Sequence, residues 1–410
     1  KSIGIFKITI VDSNIERLNS TLRNIYNSLN NKIDENKNIG ILTGTSGIAL
    51  FYFKYSEYIN SSEHFDKGIE LIEKNIDLIN EGYIMPTYCS GLAGYGWLMN
   101  FLKEQQYIDV DNGDLFDKTD ELLYQKMIAD IKDNNYDFLH GSIGYAFHFL
   151  HQFENSISID KKNKYKKYIL DFLYYLKHYS VKSANGIKWK SYTNQQKEEL
   201  EYNISLSHGI SSIINFLSRL YAHDCFKNET KDMLQNAVSF VRSYKGKDKK
   251  SISLFPNKIN SKGDVLWNSR LAWCYGDLGV ALSLWNYSKV MNDVSLQKEV
   301  IDIVKFSAKR RSRETTLVFD STICHGDFGN AQIFNHFFNE TKIPEFLEAA
   351  DFWVNNGVSN VIDSNEYAGF GKWESPNKWT GDLSLLEGIS GIGLSILSHI
   401  TRDTSWDKCL

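Results

Sequence analysis

The chain has 410 residues, 42% of them hydrophobic and 23% charged, so it is long and apolar enough to bury a large core. Its net charge of −4 does not favour nucleic acid as a partner, although short basic runs occur. No apolar run is long enough for a membrane span and the first residues do not resemble a secretory signal, so we expect a cytoplasmic protein.

The clearest pattern along the chain is a short repeat, in which Gly-x-x-Gly precedes an apolar and aromatic run. Successive copies begin about 50 to 70 residues apart, which is room for two helices and their loops. The first glycines of the seven copies are Gly44, Gly91, Gly141, Gly209, Gly276, Gly326 and Gly388. In the fourth copy Ser212 replaces the second glycine, and we expect this to shift that turn slightly.

Each repeat predicts a glycine turn, an apolar helix and a more polar returning helix. Residues 67–79 and 117–131 have the amphipathic pattern expected of the returning helix. We expect the first glycine to turn the chain at positive φ, and the second to let neighbouring helices approach closely. The predicted fold class is all-α, with seven helical hairpins that form either an open solenoid or a closed ring.

Small β pieces are expected between the later repeats. Residues 186–193 and 251–255 alternate polar and apolar side chains, which predicts two short strands on the rim. We find no linker or composition change that marks a domain boundary, so we predict one domain over residues 1–410.

Two of the turns carry a cysteine two residues before the glycine, Cys274 and Cys324, and His325 follows the second. Two thiols and one imidazole suit Zn²⁺ and leave one of its four tetrahedral positions open, as in catalytic sites. A closed ring is favoured, because turns that all point to one end would gather these three residues at its mouth. Cys89 shares the register of the two cysteines, and we interpret it as an echo of the repeat.

Other charged residues suggest weaker interpretations. Asp277 and Asp327 lie inside their turns and could be paired carboxylates of a glycosidase. An acid in the first turn of a helix also favours the helix dipole, and a glycosidase does not need cysteines beside the same turns, so we prefer a structural role. The basic runs at residues 161–167 and 305–313 are interpreted as solvated faces.

Trp-Cys-Tyr-Gly at residues 273–276 and Cys-His-Gly at residues 324–326, within seven repeats, resemble the lanthionine synthetase C family of class I lanthipeptide cyclases. The resemblance covers the chain from about Gly40 onward and implies an α/α toroid of seven inner and seven outer helices around one zinc ion. The implied ligands are Cys274, Cys324 and His325. The implied reaction joins peptide cysteines to dehydroalanine or dehydrobutyrine as thioethers.

The resemblance also implies partners for the protein. Its substrate would be a dehydrated precursor peptide, and a dehydratase and an exporter are the candidate protein partners. Association with those partners could hold the protein at the membrane surface. The alternative function is a zinc-containing binding protein that holds a peptide or a glutathione-like thiol without turnover.

Four further residues match the family's motifs. His208 corresponds to the proposed acid/base histidine, Asp137 to the aspartate, and Arg270 and Tyr275 to the residues around the first cysteine. An imidazole suits the protonation of an enolate because its pKa lies near neutrality. Three alternatives stay open: Asp137 could cap a helix, His140 could be the acid, and Arg270 and Tyr275 could simply pack.

Overall fold

The structure is a computed structural model that describes residues 2–109, 113–192, 199–362 and 366–410. It divides into two compact units, of which the first comprises Lys1–Tyr83 and Phe319–Leu410 and the second Ile84–Val318. Our prediction of a single domain over residues 1–410 stays a prediction. None of the helices in the described parts of the chain combines the length and the apolar character that a membrane span requires.

Helices dominate both units. In chain order they are α1 (Ser2–Lys32), α2 (Thr45–Ile59), α3 (Ser62–Asn80), α4 (Leu92–Glu104), α5 (Gly113–Lys132), α6 (Ser142–Asn155), α7 (Ile159–His178), α8 (Ile210–Tyr221), α9 (Asp224–Arg242), α10 (Asp277–Val290), α11 (Val294–Ala308), α12 (Arg313–Thr316), α13 (Asp327–Thr341), α14 (Pro344–Ser359) and α15 (Ile389–Thr401).

Seven of the described helices begin directly after the first glycine of a repeat, which is the N-cap residue. These inner helices, buried along most of their length, are α2, α4, α6, α8, α10, α13 and α15. The outer helices bury a single stripe, as α5 does with Phe116, Leu123, Met127 and Ile131. The predicted alternation of apolar and amphipathic helices is confirmed.

The inner helices pack side by side within each unit. In the second unit α4 contacts α6, α6 contacts α8 and α8 contacts α10. In the first unit α13 contacts α15, and α15 in turn contacts α2. The last repeat therefore pairs with the first, which a closed ring requires. Helix α1 packs on α15 and completes a set of seven outer helices with α3, α5, α7, α9, α11 and α14.

Main-chain hydrogen bonds join the glycine turns of neighbouring repeats, at the position two residues before the first glycine. In the second unit Cys89 N donates to Leu139 O at 2.9 Å. In the first unit Cys324 N donates to Leu386 O at 2.9 Å, and Leu386 N donates to Leu42 O at 2.8 Å. Equivalent positions of successive repeats are therefore held next to one another by the backbone itself.

Positive φ is confirmed at Gly276, where φ is 102°, but this expectation is wrong for the other six first glycines, whose φ is negative. The second glycine has the predicted packing role. A Cβ atom on Gly391 would lie 2.7 Å from the Ile323 side chain of the neighbouring repeat. Only a residue without a side chain fits such a close approach.

The expected shift at Ser212 does not occur. The N-cap Gly209 has φ −139° and ψ −159°, close to the −133° and −160° of Gly141 in the preceding repeat. The Ser212 hydroxyl donates to the carbonyl of Gly209 at 2.6 Å, so its side chain folds back on its own turn.

Short strands lie between the later repeats, as predicted. They are β1 (Val181–Ser183), β2 (Gly186–Lys188), β3 (Ser191–Tyr192), β4 (Leu200–Asn203), β5 (Lys258–Ile259), β6 (Val265–Leu266), β7 (Lys372–Ser375) and β8 (Lys378–Thr380). β3 to β6 form an antiparallel sheet in chain order, and β1–β2 and β7–β8 are hairpins. Of the predicted strand at 186–193, β2 and β3 are observed and Thr193 lies outside the described residues.

The predicted strand at residues 251–255 is wrong, and the strand of this region is β5, after Pro256. The reason is a long-range contact with Asp277, the first residue of α10. The amides of Leu254 and Phe255 both donate to its carboxylate at 3.0 Å. These amides are therefore taken by a side chain and cannot join a strand ladder.

A buried ion pair completes this arrangement. Arg310 Nη1 lies 3.0 Å from Asp277 Oδ2, and the two side chains are 5% and 0% exposed. The same guanidinium donates to the carbonyls of Ser269 and Thr315, both at 2.8 Å. Asp277 thus ties a loop and an arginine to the start of α10, which supports a structural role.

Asp327 has a comparable role at the start of α13. It accepts hydrogen bonds from the side chains of Asn356, Asn360 and Ser321 at 2.8, 3.2 and 3.2 Å. Burial raises the pKa of Asp327 to about 6, against these hydrogen bonds, which lower it. Both aspartates are thus engaged at helix starts, as our preferred interpretation requires.

Replacing Arg310 by Met tests the ion pair. The variant leaves the Asp277 carboxylate buried without its cation, which typically destabilises a protein by about 3–5 kcal/mol. We therefore expect a clear fall in melting temperature, measured by circular dichroism. Arg311→Met is the matched control and should have a much smaller effect, since Arg311 is exposed. Equal losses in the two variants would contradict the structural role of the pair.

Candidate metal centre and its surroundings

Cys274 lies in the turn before α10, in the second unit, and its side chain is buried. The carbonyl of Cys274 accepts hydrogen bonds from Leu206 N at 3.1 Å and from the Ser207 hydroxyl at 3.3 Å. These residues belong to the turn of the preceding repeat. Together with the positive φ of Gly276, the contacts fix the backbone that carries this thiol.

Cys324 and His325 lie in the turn before α13, in the first unit. The cysteine is buried, and the imidazole is 16% exposed. His325 Nε2 is 3.2 Å from Oδ2 of Asp320, which is fully buried. A buried carboxylate therefore contacts one of the two ring nitrogens.

Asp320 was not predicted from the sequence, although a signal for it exists. It lies six residues before the first glycine of its repeat, where other repeats carry Asn135, Asn203 and Asp382. Its Oδ1 accepts from Thr322 N at 3.0 Å, and its Oδ2 accepts from Trp373 N at 3.1 Å. Burial raises the pKa of Asp320, but the hydrogen bond with His325 and its charge outweigh burial and lower it.

Among the residues that the structure describes, Cys274, Cys324 and His325 form the one group of three or more His, Cys, Asp or Glu side chains that could hold a metal ion. Each residue offers one ligand atom. Two sulfurs and one imidazole nitrogen are the donors that zinc accepts in sites with an open position. The residues at this group therefore fit the metal that the sequence predicts.

Asp137 and His208 lie together in the second unit. Asp137 Oδ2 is 2.5 Å from His208 Nδ1. The other oxygen of Asp137 accepts from the backbone amides of Leu139 and His140, at 2.7 and 2.9 Å. One oxygen thus holds the turn and the other contacts the histidine. The N-cap of α6 is Gly141, so Asp137 does not cap a helix, and its role in catalysis stays a prediction.

The pair shifts the titration of both its members. Burial lowers the pKa of His208, but the charge and hydrogen bond of Asp137 outweigh burial, and Cys274 adds to them, so the pKa rises above 6.5. Burial raises the pKa of Asp137, but the charge and hydrogen bond of His208 outweigh it and lower the pKa below 3.8. The pair therefore favours the protonated form of His208. His140, the alternative candidate for the acid, is exposed.

Tyr275 and Arg270 flank this region. The Tyr275 hydroxyl accepts from Asn203 Nδ2 at 2.9 Å, and its ring centroid is 5.9 Å from that of His208. Burial raises the pKa of Tyr275, so the hydroxyl keeps its proton. Arg270 is half-buried. In the described part of the chain its guanidinium has no hydrogen-bond or ion-pair partner.

Comparison with known proteins shows which of them share this architecture. A nisin cyclase of known structure matches with a TM-score of 0.72 at 17% identity, over 97% of this chain and 97% of that chain. The likeness confirms the predicted all-α, α/α-toroid fold. The chain matches the family described as "Lanthionine synthetase C-like protein" over residues 12–410, and it belongs to that family.

Other solved structures are more distant. A D-mannose isomerase matches with a TM-score of 0.43 at 11% identity, over 71% of this chain and 83% of that chain. A sugar epimerase from a ruminal bacterium matches with a TM-score of 0.44 at 9% identity, over 87% of this chain and 86% of that chain.

The Asp137–His208 pair predicts a pH-dependent stability. The raised pKa of His208 stabilises the fold fully below about pH 6.5 and less as pH rises through the folded-state pKa. The lowered pKa of Asp137 stabilises the fold above about pH 4 and less as pH falls. Asp137→Asn should therefore lower the melting temperature, relative to wild type, most between about pH 4 and pH 6.5. The difference between variant and wild type should become smaller toward pH 9. His208→Asn should show the same profile, and a constant deficit would contradict the ion pair.

Proposed function

We propose that this protein is a zinc-dependent lanthipeptide cyclase, which adds cysteine thiols of a dehydrated precursor peptide to dehydroalanine or dehydrobutyrine. The observation that carries the proposal is the donor group Cys274, Cys324 and His325 in a chain that also pairs His208 with Asp137. Membership of the lanthionine synthetase C-like family supports it. So does the fold of a protein named nisin cyclase.

Cys274, Cys324 and His325 would hold the zinc ion and leave its fourth position for the substrate sulfur. When bound, the ion supplies ionisation of the substrate thiol, because a coordinated thiol loses its proton. As thiolates, Cys274 and Cys324 would balance the charge of that ion. A substrate thiolate beside them would therefore stay electron-rich and nucleophilic.

The reaction is a Michael addition with a balanced proton count. The substrate sulfur forms a bond to Cβ of the dehydro residue, and the π electrons move onto the carbonyl oxygen as an enolate. The thiol proton passes to solvent. His208 in its charged form donates a proton to Cα, which gives the thioether, and the neutral imidazole then takes up a proton from solvent. Asp137 supports that charged form, as the raised pKa of His208 indicates.

Two further groups would act on the enolate. Arg270 offers a positive charge that forms no ion pair with a described residue. Tyr275 keeps its hydroxyl proton at neutral pH. Both are suited to stabilise negative charge on the carbonyl oxygen as it develops. The Asn203 amide donates a hydrogen bond to the Tyr275 hydroxyl and so orients it.

The metal ligands are tested with Cys324→Ala. Purified wild-type protein should carry about one equivalent of zinc, because three protein ligands and one substrate position serve one ion. The variant should lose zinc by elemental analysis and lose cyclisation, while its helical circular-dichroism spectrum persists. Cys89→Ala is the matched control, since Cys89 has the same register in another repeat and is not a ligand in this proposal. Zinc lost equally from both variants would contradict the assignment.

The proton donor is tested with His208→Asn. A general acid typically contributes about 10²–10⁴-fold, so thioether formation should fall by that order while zinc stays bound. Mass spectrometry of a dehydrated peptide after thiol capping measures the product. His140→Asn, at the same register but exposed, should stay near the wild-type rate. Unchanged turnover in His208→Asn would refute its role as the acid.

The same assay separates the alternative function. A wild-type protein that binds zinc and retains a dehydrated cysteine peptide, yet forms no thioether, would be a binding protein. Formation of thioether rings that depends on zinc favours the cyclase.

A further inference from the structure

Two repeats of the first unit carry an aspartate six residues before the first glycine, Asp320 and Asp382. In both, one carboxylate oxygen accepts the amide two residues further on, Thr322 N at 3.0 Å and Ser384 N at 2.7 Å. The turns then differ. The residue before the glycine is His325 in one repeat and a glutamate in the other.

The contact with the histidine determines which ring nitrogen holds the proton. Asp320 Oδ2 lies 3.2 Å from His325 Nε2. An ionised carboxylate only accepts hydrogen bonds, and a neutral imidazole has one N–H and one lone pair. For a neutral imidazole, this contact places the proton on Nε2 and the lone pair on Nδ1.

We propose that Asp320 is a positioning residue, which holds His325 with its metal-binding lone pair on Nδ1 and so raises the affinity of the site for zinc. This inference rests on the proposed function, in which His325 is a zinc ligand. Histidine ligands generally donate their other N–H to such a carboxylate, and loss of that partner weakens metal binding about 10–100-fold.

Asp320 is itself rigidly placed, which makes it suitable for this role. Its side chain is fully buried. Oδ1 accepts from both the amide and the hydroxyl of Thr322, at 3.0 and 2.9 Å. Oδ2 also accepts from Trp373 N in β7 at 3.1 Å, so the β7–β8 hairpin holds the oxygen that contacts His325. These donors thus fix the carboxylate that contacts His325.

The first experiment replaces Asp320 by Asn. The amide oxygen can still accept from Thr322, but its NH₂ group cannot accept from Nε2–H. His325 would then favour the tautomer with the proton on Nδ1, which opposes metal binding there. Titration of zinc against a chelator should show a 10–100-fold rise in Kd. Asp382→Asn, which has the same turn contact without a histidine, should stay within about two-fold of wild type.

A second experiment asks whether Asp320 acts through His325. In a His325→Cys background the ligand is a thiolate, which has no tautomer to select. Adding Asp320→Asn there should leave the zinc Kd unchanged, so the two substitutions should be strongly non-additive. The same loss in both backgrounds would show an effect through the fold and would overturn the proposal, as would a wild-type Kd in Asp320→Asn.

Nuclear magnetic resonance of wild-type protein labelled with ¹⁵N-histidine tests the proposal without Asp320→Asn, should that variant not fold. The Nδ1 signal of His325, assigned with His325→Cys, should move on zinc addition while Nε2 keeps its proton. Zinc on Nε2 would overturn the role of Asp320. Zinc binding without dependence on Asp320 leaves the proposed cyclase intact, whereas a wild-type protein that binds no zinc refutes both.

Discussion

The fold depends on main-chain hydrogen bonds that join the glycine turn of one repeat to that of the next. Cys324 and Leu386 are linked in this way, and Leu386 is linked to Leu42. Because the bonds are between backbone atoms, equivalent positions stay aligned whatever side chains they carry. A leucine in one repeat and a cysteine in the next are therefore compatible with the same turn. A few repeats can therefore carry reactive groups while the others maintain the scaffold.

Two aspartates at the turns each serve two groups, whereas a hydroxyl oxygen in the turns serves one. Four residues before the first glycine, Thr87 and Ser205 each use one oxygen to accept a turn amide. Asp137 at the same position does this with one carboxylate oxygen and has a second for His208. Asp320 likewise divides its two oxygens between a turn and His325. A carboxylate in the turn thus holds the turn and positions an imidazole at once.

The periodic part of the structure could be predicted from the sequence. Glycine spacing and apolar runs give the seven inner helices, since both depend on residues close together in the chain. The local pattern at residues 251–255 predicts a strand that does not form, because the amides of Leu254 and Phe255 bind the distant Asp277. Asp320 was missed for a similar reason. Its register is regular, but its contact with Trp373 involves a hairpin 53 residues away.

The pairing of the last repeat with the first has a consequence for how the chain is made. The first unit combines Lys1–Tyr83 with Phe319–Leu410, and α2 buries its side against α15. During synthesis these early helices must wait for a partner that leaves the ribosome more than 230 residues later, a separation that slows folding. Helix α2, with apolar side chains such as Leu50, Phe51 and Phe53, is exposed meanwhile. The intervening unit can assemble before α2 and α15 meet, so the first unit should be the later of the two to fold.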